Sequence, residues 1–293
     1  MPSRDLTYPT IGLALSGGAA RGMAHVGVLR ALLENNIRID CIAGTSAGSI
    51  VGGAFASGMT VDQIAEFGRT LRWRDIGRVT MSRLGVQSNE RLEQYLRARM
   101  PVTKFEELNM PFAAVATELK TGAAVIMRDQ GDVPFAIRAS CAIPGWYVPV
   151  MDENGRQLVD GGLVAVVPVS VTRSLGADIV IAIDVNREGA TFLGPTSSVI
   201  GVLLQSILLV QKTASSYQLQ MSDLVISPKV GHIRWDEMGK AEELMEIGYA
   251  VGLESIPRIR ELIDEAVKAQ PKWYQVRRRK QFLAKRALTP TQL

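Results

Sequence analysis

Short, continuous apolar runs recur along the chain. Between them lie stretches in which apolar positions return every three or four residues. "TIGLALS" (Thr10–Ser16), "IDCIAG" (Ile39–Gly44), "ADIVIAIDV" (Ala177–Val185) and "DLVISP" (Asp223–Pro228) read as buried strands. Helical spacing follows the first of these from about Gly22 to Asn35, and a small-residue helix starts at Ala47. Thr60 with Gln63 forms a capping-box pattern that opens another helix. "PFAAVATEL" and "AAVIMRD" flank "KTG" as a hairpin. Asp132 and Pro134 start a short helix that ends near "IPG", and "ENG" (Glu153–Gly155) turns tightly into the strand "RQLVD". Pro168 opens a helix, a loop with Gly194 and Pro195 leads into a long one over Ser197–Met221, and the remainder is helical to Gln270 with an interruption at Pro257. Arg72–Val86, basic and irregular with Trp73 and Met81, reads as a flap or loop. Strands alternating with helices predict an α/β layered fold.

Composition adds scale and a charge asymmetry. The 293 residues are 47% hydrophobic, enough for a substantial core. With no internal repeat, one domain is expected over residues 1–270, followed by a tail over 271–293. That tail carries seven cations and no acid, which leaves the remaining residues at a net −3 against the whole-chain +4. The body therefore offers no nucleic-acid-binding face. The tail, with Trp273, Tyr274 and Phe282 among its arginines, can touch an anionic lipid surface; as a helix its charges point in all directions, so a solvated tail is an equal reading. Cys41 and Cys141 sit in apolar surroundings, which argues against a disulfide framework and for a reducing compartment. "MPSRDLTYPT" lacks the apolar core of a secretion signal. The most apolar run, "VIGVLLQSILLV", falls short of the ~20 residues that span a bilayer. A cytoplasmic protein, at most peripheral to a membrane, is the expectation, with self-association left open.

The chemistry concentrates in three places. "GTSAG" (Gly44–Gly48) fits G-x-S-x-G between an apolar strand and a small-residue helix, the context of a nucleophile elbow. Its tight turn demands small neighbours, which Gly44, Ala47 and Gly48 supply, and it would present Ser46 at a helix N-terminus. The plain alternative is a small-residue turn with a capping Ser. "SGGAARG" (Ser16–Gly22) can cradle phosphate or an oxyanion, but it lacks the Lys-Ser/Thr of a P-loop. A base for Ser46 could be Asp160 in "VDGGL", where two glycines let the backbone approach another element; a turn-forming Asp is the plain reading there. It could also be His232, with Asp160 or Asp184 completing a hydrolase triad, although little sheet precedes Ser46. The other histidine, His25, lies one turn past the glycine loop.

Together these segments resemble the patatin-like phospholipase family, bacterial and neuropathy-target-esterase-like members included. The family's glycine loop corresponds to "SGGAARG", its elbow to "GTSAG" and its acid to "DGG". "ASCAIPGWYVP" looks like a further family segment, and the likeness extends to about Tyr249. The resemblance implies a three-layer α/β/α sandwich on a mixed, mostly parallel sheet. It also implies acyl-ester hydrolysis of a phospholipid or lysophospholipid by a Ser46–Asp160 dyad, with no catalytic His, metal or cofactor. The N–H groups of Gly17, Gly18 and Ala19 would form the oxyanion hole, while Arg21, followed by Gly22, orders the loop or faces a phosphate. The family carries a third Gly where this chain has Ala19. Ala serves there if its φ is negative, whereas a positive φ would put strain into the loop and weaken activity, which keeps a weakly active lipid-binding or regulatory protein on the same fold as an alternative reading.

Overall fold

The computed structural model describes residues 8–187 and 199–269. Strand β1 (Ile11–Leu15) leads through a 3-10 turn at Ala19–Gly22 into α1 (Met23–Glu34). Then follow β2 (Cys41–Thr45), α2 (Ala47–Ala56), α3 (Val61–Thr70) and the single turn α4 (Trp73–Ile76). A hairpin of β3 (Arg78–Val79) and β4 (Gly85–Ser88) precedes α5 (Glu90–Arg97). The middle of the chain holds β5 (Phe112–Glu118), β6 (Ala124–Arg128), α6 (Val133–Ser140), β7 (Gly145–Tyr147), β8 (Val150–Met151) and β9 (Gln157–Asp160). It ends with α7 (Val169–Ser174), β10 (Ile179–Ile183), α8 (Val199–Leu219), β11 (Leu224–Ile226) and α9 (Ala241–Ala269).

The main sheet runs β11-β10-β1-β2-β5-β9-β8, with β6 also on β5. The first five strands are parallel; β6, β8 and β9 join antiparallel. The two faces differ in side-chain size. On β1, Ile11, Leu13 and Leu15 pack toward α1 and α9, with Val26, Leu29 and Ile259. Gly12 and Ala14 face the other way, where α7 sits so close that a Cβ on Gly12 would strike Thr172 and Ala177. Ala43, Ala113 and Ala182 continue this small face. Large residues thus carry the core on one side, and small ones let a short helix settle against the other.

The capping box at Thr60 is formed in both directions, at 2.8 and 3.2 Å to Gln63. Asp132 caps α6 through the Phe135 N–H at 2.9 Å. Three expectations fail. The chain after β11 is not helical at once: residues 227–237 form a loop whose Gly231, Ile233 and Trp235 carbonyls accept from Arg21 and Ala20, and α9 begins only at Ala241. Helix α9 continues through Pro257. Its N-terminal part is locked on α1 where Gly248 lies against the Ala24 carbonyl and Gly27 against Met245, so packing outweighs the one hydrogen bond that proline removes. Arg72–Val86 is not irregular either: it contains α4 and the β3–β4 hairpin, and β4 pairs with β7 in a second, three-stranded sheet. The basic tail, the loop with Gly194 and Pro195 and the first residues expected of the long helix lie outside the described residues. No helix among the described residues is long and apolar enough to cross a membrane.

Candidate active site

Strand pairing alone brings Ser46 and Asp160 together. β2 runs parallel to β5 and ends with Thr45 opposite Val115. β9 runs antiparallel to β5 and ends with Asp160 opposite Ala116, the next residue. Since β6 fills the opposite edge of β5 over Ala113–Thr117, β2 and β9 meet head to head along one edge. The residue after β2 is Ser46. The acid and the hydroxyl therefore converge although more than a hundred positions separate them in the chain.

The elbow is a strained turn. Ser46 has φ 51° and ψ −122°, a conformation that costs about 1–3 kcal/mol unless its surroundings impose it. They do. A Cβ on Gly44 would strike the Gly48 carbonyl, one on Gly48 the Leu15 carbonyl, and one on Gly22 the Ala47 methyl. The Ser46 N–H donates to Ser140 Oγ at 2.9 Å, and the Ser140 hydroxyl donates to the Val115 carbonyl at 2.6 Å. Thr45 Oγ1 donates to the Ala165 carbonyl at 2.6 Å. Ser140, at the end of α6, thus ties the elbow to β5. It lies in the segment "ASCAIPGWYVP", but nothing in the sequence alone assigns it a role.

Asp160 is buried, and its carboxylate accepts from the Gly162 N–H at 2.8 Å. Burial pushes its pKa up from 3.8 to about 6, against the lowering effects of the Gly162 N–H and the Ser46 hydroxyl that faces it. Its own N–H donates to the Ala142 carbonyl at 2.8 Å, and its carbonyl accepts from Thr117 Oγ1 at 2.9 Å. Cys141 lies beside the pair. Burial, then the nearby Asp160 charge, drive its thiol pKa upward, so it stays an uncharged wall.

The glycine loop is pinned on every side. The Ser16 N–H reaches Ile183 O at 3.0 Å, the Ala20 N–H reaches Trp235 O at 2.9 Å, and Asn186 Nδ2 donates to Gly17 O at 2.6 Å. Arg21 is fully buried and donates from Nε to Ile233 O at 2.6 Å and from Nη2 to Gly231 O at 3.3 Å. Burial lowers its pKa. Of the two roles expected of Arg21, the geometry shows the loop-ordering one. The Gly17 N–H donates to Val166 O at 3.1 Å, so it is not available to a substrate. The Gly18 and Ala19 N–H groups have no acceptor among the described residues. Ala19 has φ 49°, the positive value that places strain in this loop.

Neither histidine reaches the pair. His25 is buried, donates from Nε2 to Ser16 O at 2.9 Å, and is pushed down to a pKa of about 4 by burial, so it stays neutral. His232 is exposed and meets Glu243 at 3.0 Å on the surface. Asp184 is buried at the end of β10, where it accepts from the Asn186 N–H at 2.9 Å and its charged form is disfavoured by burial. Two cavities open at Ser46, of about 660 and 760 Å³ counting space open to solvent. Asp160, Asn186 and Gln211 belong to the first, closed on one side by Leu204, Ile207 and Leu208 of α8. The second runs between α2, α3 and α5 and is lined by apolar side chains beyond Ser46. No group of acidic, His or Cys side chains among the described residues is arranged to hold a metal ion.

A family model described as patatin-like phospholipase matches residues 13–173, more than half of the chain. The chain belongs to the patatin-like phospholipase family. Among relatives, an uncharacterised NTE family protein of Mycobacterium tuberculosis is 38% identical over 64% of this chain and 52% of its own length. Patatin-like phospholipase domain-containing protein 7 of Rattus norvegicus is 31% identical over 85% of this chain and 21% of its own length. The chain thus spans about half of the mycobacterial relative and a fifth of the rat protein. The patatin-like fold recurs in VipD from Legionella pneumophila, with TM-score 0.54, 14% identity, and 85% of this chain and 67% of that one covered. Human GIVD cytosolic phospholipase A2 gives TM-score 0.51 and 12% identity over 92% of this chain and 62% of its own. The sandwich on a mixed sheet is the architecture expected from the sequence.

Proposed function

We propose that this patatin-like protein is a serine acyl hydrolase that cleaves fatty acyl esters of phospholipids or lysophospholipids with a Ser46–Asp160 dyad. The observation that carries the reading is the head-to-head meeting of β2 and β9, which faces a buried, weakly acidic carboxylate with a strained serine. With a pKa near 6 the carboxylate is ionised at neutral pH, yet it is about a hundredfold stronger as a base than an ordinary Asp. Asp160 takes the proton as Ser46 Oγ attacks the ester carbonyl. The oxyanion lies against the N–H groups of Gly18 and Ala19. Collapse breaks the C–O bond, and the proton passes from Asp160 to the departing alkoxide. Water then repeats the sequence on the acyl-enzyme, with Asp160 again as base, and frees the fatty acid. No cofactor enters these steps.

The same proton path assigns the cavities. The alcohol must leave on the side of Asp160, which lines only the cavity under α8. The acyl chain therefore takes the apolar cavity between α2, α3 and α5. Labelling with an alkyl fluorophosphonate, read by intact mass and peptide mapping, tests the reading. The label should sit on Ser46 and vanish in Ser46→Ala; a folded wild-type protein that takes no label refutes it.

A further inference from the structure

The β3–β4 hairpin is built against the rule for a water-facing surface. Val79 and Leu84 are well exposed, and Met81 at its tip is fully so. Around them stand Arg74, Arg78 and Arg83, whose guanidinium groups meet no acceptor among the described residues, and no acid occurs from Ile76 to Asn89. Three exposed apolar side chains among three unpaired guanidinium groups suit an interface that is negatively charged outside and hydrocarbon within.

The hairpin grows directly from the wall of the catalytic cavities. Trp73 and Ile76, just before it, line the acyl cavity, as does Leu92, just after it. Its strand β4 pairs with β7, Gly85 opposite Gly145 and Gln87 opposite Tyr147. Pro144, next to Gly145, lines the cavity that holds Asp160. The Thr80 N–H to Val86 O bond at 3.1 Å and the Val148 N–H to Gln87 O bond at 2.8 Å hold the hairpin out as one unit. A second copy of the chain is a poor occupant, because a two-fold contact through this face would oppose arginines with arginines.

We infer that the tip of the β3–β4 hairpin, with Val79, Met81 and Leu84 inserted and Arg74, Arg78 and Arg83 on the headgroups, docks the protein on an anionic lipid bilayer beside the mouth of the active site. The inference uses the proposed lipid substrate as a reason for such docking, but its test does not require activity.

Sedimentation of the full chain with vesicles of one part phosphatidylglycerol to three parts phosphatidylcholine, in the Ser46→Ala background, measures partition without turnover. Arg78→Gln with Arg83→Gln should lower partition by more than tenfold, at about fivefold per cation, and leave the weak binding to pure phosphatidylcholine unchanged. Met81→Asp should lower partition on both vesicles. In the catalytically intact protein, none of these changes should alter hydrolysis of a soluble short-chain ester by more than twofold, which certifies the fold. Unchanged partition overturns the inference, as does a loss that tracks dissociation of an oligomer in the absence of vesicles. Should the wild type partition as described yet hydrolyse no ester, the hydrolase reading fails and the docking surface stands.

Discussion

Replacing Asp160 by Asn isolates what it costs to keep the proposed base dry. In the folded chain its carboxyl sits at about 6 rather than 3.8, so folding disfavours the charged form by about 3 kcal/mol. The sign follows from linkage. A carboxyl whose pKa is raised by folding binds more protons in the native state than in the unfolded one, so stability falls as pH rises from the unfolded value through the folded one. Below about pH 3 the protonated acid costs nothing; above about pH 7 the whole penalty is present. Asn keeps an oxygen for the Gly162 N–H and carries no charge, so the variant escapes the penalty. Urea unfolding of wild type and Asp160→Asn at a series of pH values should show a stability gap in favour of the variant. That gap should grow by about 3 kcal/mol between pH 3 and pH 8 and flatten above pH 7. Turnover should be absent in the variant at every pH, and in the wild type should fall as pH drops through about 6. A gap that does not change with pH, or a variant less stable at pH 8, refutes the assignment of Asp160 as a buried base.

Ser140→Ala leaves the Ser46 N–H and the Val115 carbonyl without partners and should cost about 1–3 kcal/mol of stability. Its kcat should fall more than tenfold with KM nearly unchanged, in steady-state assays on a soluble ester; a change in stability alone would make Ser140 structural only. Ala19→Gly, which relieves φ 49°, should keep kcat/KM within threefold, while Ala19→Val should lower the Tm and the rate together, because a β-branched residue resists that backbone. His232→Ala should leave kcat/KM within twofold, since that ring pairs with Glu243 on the surface; loss of turnover would restore a His-dependent mechanism.

Much of this arrangement is legible in the sequence, for a local reason. β1, β2 and β10 are continuous apolar runs because both faces are covered, and the elbow and the glycine loop are sets of small residues whose backbones nearly touch. Features made by distant contacts are not legible. Ser140 matters because α6 happens to end between Ser46 and Val115. The Gly17 N–H looks like its two neighbours until Val166 claims it. Pro257 reads as a helix break because the support that α9 receives from α1 leaves no periodic signal of its own. The β3–β4 hairpin escapes notice because its strands are two and four residues long and its apolar positions face outward, so neither length nor alternation marks them.

The edge of β5 shared by β2 and β9 decides where this chain can tolerate change. Thr45, the residue before Ser46, and Asp160 are paired to successive residues, Val115 and Ala116, so the separation of Ser46 from Asp160 is set largely within one strand. Loops that leave and return to that strand, such as those around α3, α5 or the β5–β6 turn, can lengthen or be replaced without moving one reacting group relative to the other. Substitutions that alter the twist of Phe112–Glu118 would shift both at once. Variation in substrate range is therefore open to the surrounding loops, while the spacing of the two groups depends on a strand whose six buried residues, 112–117, line neither cavity.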